Sequence, residues 1–141
     1  MKSKATRFFL VALTWLAAGA FVHAETVLAG NKALTGQTLD ADSVKAVLLG
    51  KKVTLGSNRV VVVIVKNSAQ QDAFLQSTVG MTTAQFQNHW RRLFMTGGGT
   101  APKLVESDAE AAKVAADIAG AVTIVDRSAA GELPVLFAAK S

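Results

Sequence analysis

Residues 39–74 read LDADSVKAVLLGKKVTLGSNRVVVVIVKNSAQQDAF, and the order of signals inside this stretch decides the fold. Asp40 is a good helix N-cap, with Leu39 and Val44 spaced as a hydrophobic staple around it. Val44, Val47 and Leu48 then recur at helical spacing, so one face of the segment up to Leu49 is apolar. Gly50 is the expected stop, followed by Lys51-Lys52. A turn at Gly56-Ser57-Asn58 leads into Val60-Val61-Val62-Val63-Ile64-Val65. An unbroken β-branched run of this length, with no alternation, predicts a strand buried on both faces and central to its sheet. Lys66-Asn67 delivers the chain to Ser68, which opens a second helix through about Thr78, with Ala73, Phe74 and Leu75 directed inward.

Working outward, Thr26 to Ala29 predicts a short first strand, and Gly30 to Thr38 a polar loop rich in turn formers. Gly80 breaks the helix that starts at Ser68. Thr82 and Gln85 form a capping box, and Met81 with Phe86 can staple it. That third helix runs to about Met95 and is expected to bury Phe86, Trp90, Leu93 and Phe94. Gly97 to Thr100 is a flexible connector. Ser107 and Glu110 make another capping box, opening an alanine-rich helix with Ala111, Val114, Ala115 and Ile118 inward. Two strands, Ala121 to Val125 and Leu133 to Phe137, close the domain. Strands alternating with helices predict an α/β layered fold on a largely parallel or mixed sheet, with no internal repeat and no second domain.

The first 24 of the 141 residues read as a signal peptide. Lys2, Lys4 and Arg7 make a positive start, Phe8 to Phe21 an uncharged apolar stretch, and Val22-His23-Ala24 a small-residue cleavage site before Glu25. The apolar stretch is shorter than the roughly 20 residues that span a bilayer. Residues 25–141 then form one domain. They hold twelve basic and ten acidic residues, a balance of +2 with no basic run, which does not favour nucleic acid as a partner. There is no cysteine, so neither a disulfide framework nor a lipid-carrying cysteine is present. An exported chain without an anchor is expected in the periplasm, free of the membrane after cleavage.

Taken in order, Leu39, Val47-Leu48-Leu49-Gly50-Lys51-Lys52, Asn58-Arg59-Val60, Ser68 with Ala73-Phe74-Leu75, Gly80-Met81-Thr82, Trp90, Pro102 and Gly120-Ala121-Val122 carry a resemblance across nearly the whole of residues 25–141. The chain resembles the C-terminal lobe of the periplasmic phosphate-binding component of ABC transporters. It resembles more closely the short, single-lobe substrate-binding-protein-like relatives of that component. The resemblance implies a single periplasmic-binding-protein-like lobe, a layered sheet with flanking helices, that recognises a small oxyanion, phosphate in the family, in an uptake system. In that family a Ser-Gly-Thr at this helix start, after an arginine, binds phosphate through hydroxyls and backbone N–H groups. Here Ser68-Ala69-Gln70 stand at those positions and Lys66 stands near the arginine. The ligand-binding residues implied are therefore Ser68, Ala69, Gln70 and Lys66.

The residues by themselves leave two roles open for Ser68. It can cap its helix, in a box with Gln71, or it can hold an anion, because both roles use the same orphan N–H groups. Gly97-Gly98-Gly99-Thr100 lacks the preceding strand and the Gly-Lys-Ser/Thr of a phosphate loop. His89 is expected on the surface, with no company for a metal. No Gly-x-Ser-x-Gly elbow, zinc motif or cysteine nucleophile is present, and Asp40, Asp42, Asp108 and Glu110 all sit in first helical turns, where they complement the dipole. The expectation is a binding protein without catalytic residues, metal or cofactor, whose partners are the oxyanion and a membrane transporter or sensor. The alternative is an interaction module that has lost its ligand and docks on a sensor or envelope protein.

Overall fold

The computed structural model describes residues 25–97 and 101–139; the signal-peptide reading and Gly98 to Thr100 lie outside them. Strand β1 (Thr26–Gly30) is followed by a 3₁₀ turn at Lys32–Leu34 and helix α1 (Ala41–Leu48). A small hairpin, β2 (Thr54–Leu55) and β3 (Asn58–Arg59), precedes strand β4 (Val61–Val65). Helices α2 (Ala69–Thr78) and α3 (Thr83–Met95) lead to strand β5 (Lys103–Val105). Helix α4 (Asp108–Asp117), strand β6 (Ala121–Asp126), the single turn α5 (Arg127–Ala130) and strand β7 (Val135–Ala138) complete the chain.

The main sheet has the order β5-β4-β6-β1-β7. β4 runs parallel to both β5 and β6, whereas β1 is antiparallel to both β6 and β7, so the sheet is mixed. β4 is internal but not central: that place belongs to β6, whose residues Ala121 to Val125 are all buried. An apolar run reports burial on two faces and carries no information on which strand lies in the middle.

The pleat of β4 divides two cores. Val62 and Ile64 face one, built with Val44, Val47 and Leu48 of α1, Phe74 and Leu75 of α2, and Phe86 and Trp90 of α3. Val63 and Val65 face the other, with Ala111 and Ala115 of α4. The small residues of α4 bring that helix close to the sheet. Asn31, buried in the loop after β1, ties the two ends of the chain by donating from Nδ2 to the Ala115 and Ala116 carbonyls at 2.8 and 3.0 Å. Those carbonyls lie in the last turn of α4, where a helix leaves acceptors without partners.

Local signals end most helices as expected. Asp40 accepts from the Ser43 N–H at 2.8 Å, Thr82 and Gln85 form a reciprocal box, and Gly50 takes φ +82° at the end of α1. Three expectations fail on burial. Ala73 is exposed, and Gln71 takes the buried position on α2. Phe94 is 59% exposed, because β5 is a three-residue edge strand and the sheet ends before the last turn of α3 reaches a partner. His89 is half-buried, with Nε2 2.9 Å from the Leu49 carbonyl oxygen. Trp90 is buried as the helical spacing predicts, and its indole N–H donates to the Leu48 carbonyl at 2.9 Å.

Candidate functional site

The three parallel strands β5, β4 and β6 end on one edge of the sheet, and a helix starts after each of them. From β4 the chain turns into α2 on one face; from β5 it turns into α4 on the other. Neighbouring loops that leave for opposite faces open a crevice between them, and in open α/β sheets that crevice beyond the carboxyl ends is where ligands sit. The segments that flank this point are Lys66-Asn67-Ser68 and Glu106-Ser107. The Lys66 N–H donates to the Val105 carbonyl at 2.9 Å, which zips the two strands to their ends.

The four residues anticipated as ligand contacts lie in the turn from β4 into α2. Ser68 is the N-cap of α2, and its Oγ accepts from the Gln71 N–H at 3.1 Å. The N–H groups of Ala69 and Gln70 belong to the first turn, have no hydrogen-bond acceptor among the described residues, and lie on exposed residues. Lys66 stands beside them, but its ammonium is already engaged, with Nζ 2.8 Å from Glu106 Oε2. The Glu106 carboxylate, by hydrogen bond and charge, raises the Lys66 pKa above its ordinary value, so the lysine is fully cationic at neutral pH. Glu106 carries no local signal of this role. It reaches Lys66 only because β4 and β5 pair in register, Val65 with Val105.

The capping box expected between Ser68 and Gln71 is half made. Gln71 turns its amide inward instead: Oε1 accepts from the Val65 N–H and Nε2 donates to the Val65 carbonyl, both at 2.8 Å. The pairing of β4 with β6 stops at Val63, so Val65 has no strand partner on that side, and Gln71 supplies both missing bonds. A buried backbone group without a partner is costly, and glutamine is the side chain that offers one donor and one acceptor at this reach. The loop that aims α2 at the crevice is thus locked from below.

Acidic groups occupy the neighbouring ground. Asp108 Oδ2 accepts from the Asp126 N–H at 3.1 Å, and Asp126 caps α5 through Ser128. Asp72, in the first turn of α2, accepts from the Thr83 N–H at 2.7 Å and from Gln76 at 2.8 Å. No group of histidines, cysteines or carboxylates among the described residues is arranged to hold a metal ion. No helix among them is long and apolar enough to cross a membrane.

No family model and no curated protein matches the sequence. Among solved structures the chain is similar to an ABC-type phosphate transport receptor from Vibrio cholerae, with a TM-score of 0.59 and 12% sequence identity over 80% of this chain and 45% of the receptor. At that identity the likeness is one of fold: a five-strand mixed sheet flanked by helices that resembles a lobe of this receptor, and the chain spans less than half the receptor's length.

Proposed function

We propose that this chain is a solute-binding-like lobe that takes a small oxyanion, phosphate in the first instance, at the N-terminus of α2, and that it serves in the periplasm as a component or relative of an ABC-type phosphate uptake system. The observation that carries the reading is that, just past the carboxyl end of β4, the Ser68 hydroxyl and two exposed N–H groups with no partner among the described residues follow closely on Lys66. Backbone N–H groups at a helix tip and the dipole behind them favour a negative ligand. Recognition is non-covalent. Ser68 keeps its capping bond and still has an O–H to donate, so capping and ligand binding are compatible at this residue. An incoming oxyanion displaces Glu106 from Lys66.

Calorimetry with phosphate and sulfate on the parent and on Ser68→Asp tests the site. Aspartate caps a helix as well as serine does, so the fold is retained, while its charge repels the anion. The expected result is binding by the parent and loss of binding in the variant. Equal phosphate affinity in a folded Ser68→Asp protein places the site elsewhere. Absence of oxyanion binding by the parent even at concentrations well above millimolar leaves the interaction module as the better reading.

A further inference from the structure

Away from the crevice, α3 and the edge strand β5 enclose a cleft of about 250 Å³ lined by Ile64, Trp90, Phe94, Pro102 and Leu104, with Arg91 at its rim. Phe94 and Leu104 are 59% and 49% exposed, two of the four large apolar side chains left exposed among the described residues. The strand beside the cleft is also open. Val105 turns its carbonyl towards β4, where it accepts from Lys66. Main-chain groups alternate sides along a strand, so Leu104 directs its N–H and C=O outward, where no described strand pairs with them. Arg91 lines the cleft and Arg92 follows it on α3, and no acidic residue occurs between Asp72 and Glu106; Lys103 alternates with Leu104 and so belongs to the other face of the edge strand. These three basic residues are exposed and form no ion pair among the described residues.

We propose that this face is a docking site for an extended, acidic segment of a partner protein, which adds as a strand along β5 and seats an apolar side chain in the cleft between α3 and β5. Edge-strand addition draws affinity from main-chain bonds and specificity from a side-chain pocket, and both parts are present. The basic rim selects an acidic partner. A second copy of this chain is disfavoured, because it would bring a second Arg91-Arg92 pair, and no added carboxylate from that span, to the same seam. An anionic membrane would meet the charge but would not fill a concave pocket or pair with the outward groups of Leu104. The site is independent of the oxyanion crevice.

The test uses an array of random synthetic heptapeptides probed with the full chain, followed by titration of selected peptides against the Trp90 indole N–H resonance. The expected outcome is a selected set enriched in Asp and Glu with at least one large apolar residue, which shifts the Trp90 signal. Binding should weaken at least tenfold in Leu104→Glu and in the double variant Arg91→Glu with Arg92→Glu. All three positions are exposed, and circular dichroism checks that the variants remain folded. A selected set without acidic bias, or unchanged binding by folded Leu104→Glu, overturns the proposal. So does cosedimentation of the parent with phosphatidylglycerol vesicles that is lost in Leu104→Glu, which would assign the face to a lipid surface. The vesicle comparison is made between full chains, so any contribution of residues 1–24 cancels.

Discussion

At the scale of single residues, Gln71 and Gly120 hold positions that no other side chain fills equally well. Gln71 is 1% exposed and satisfies both main-chain groups of Val65. Gln71→Leu conserves volume yet strands a buried N–H and a buried carbonyl, each costing about 1–3 kcal/mol. Urea unfolding of Gln71→Leu should show that loss, whereas Ser68→Ala should show only the cost of a cap, about 0.5–2 kcal/mol. A loss in Gln71→Leu no larger than in Ser68→Ala would mean that the two Val65 main-chain groups do not depend on the Gln71 amide. Gly120 sits at φ +86°, and a Cβ there would lie 2.1 Å from the Arg59 carbonyl oxygen. Its own carbonyl accepts from Val61 at 3.0 Å, so β4 enters the sheet pressed against this residue. Gly120→Ala should therefore cost roughly 3 kcal/mol or more, combining left-handed strain with a backbone clash. A drop in urea midpoint equivalent to less than 1 kcal/mol, typical of a surface change, would contradict that close approach.

At the scale of elements, the α2–α3 corner is stapled by one carboxylate. Asp72 bonds the Thr83 N–H, the first of α3, and the Gln76 amide on its own helix. The Thr83 backbone bond, followed by the Gln76 bond, holds the Asp72 pKa below its ordinary 3.8. A carboxylate with a depressed folded pKa contributes stability that is present above the unfolded pKa and is lost as pH falls through the folded one. Asp40, lowered first by the Ser43 N–H, acts in the same direction at the start of α1. Asp72→Asn should thus be less stable than the parent at pH 7, and the gap should close below about pH 3.8, with Asp40 accounting for acid sensitivity that remains. Thermal melts across that range check it; a gap independent of pH would assign Asp72 a packing role alone. The same corner explains what was legible in the sequence. Asp40, Thr82 with Gln85, and the β-branched run at 60–65 are local signals, and the elements they mark formed as read. The hairpin at Thr54–Arg59, the strand Lys103–Val105 and the turn Arg127–Ala130 have only two to four residues per element. Pieces that short take their structure from a partner, not from a period. Likewise the Ser68 cap could be read locally, but Glu106 opposite Lys66 could not, since strand register alone brings them together.

At the scale of the whole molecule, β1 lies between β6 and β7, so the first and last strands of the described chain close a single sheet. Among the described residues no further strand of that sheet covers the carboxyl ends of β4 and β5, so on the oxyanion reading a ligand there is held from one side. An anion bound by two N–H groups and one exposed lysine makes few charge-assisted bonds, each worth about 1.5–3 kcal/mol, against an association cost of at least about 4 kcal/mol. The expected affinity is millimolar or weaker. Glu106 lowers it further, because it is a built-in competitor for Lys66. Glu106→Gln keeps the shape and an acceptor while removing the competing charge. On the oxyanion reading, phosphate should bind the Glu106→Gln protein several-fold more tightly, with a binding constant that falls as salt is added. The gain should vanish when Lys66→Met is added, which separates a specific release of Lys66 from a general change in surface charge. If Glu106→Gln binds no better than the parent, Lys66 is not the counter-charge and the α2 tip must act alone. If the gain survives Lys66→Met, the effect of Glu106 is the long-range repulsion of an anion by a carboxylate, and the ion pair is a structural link between β4 and β5.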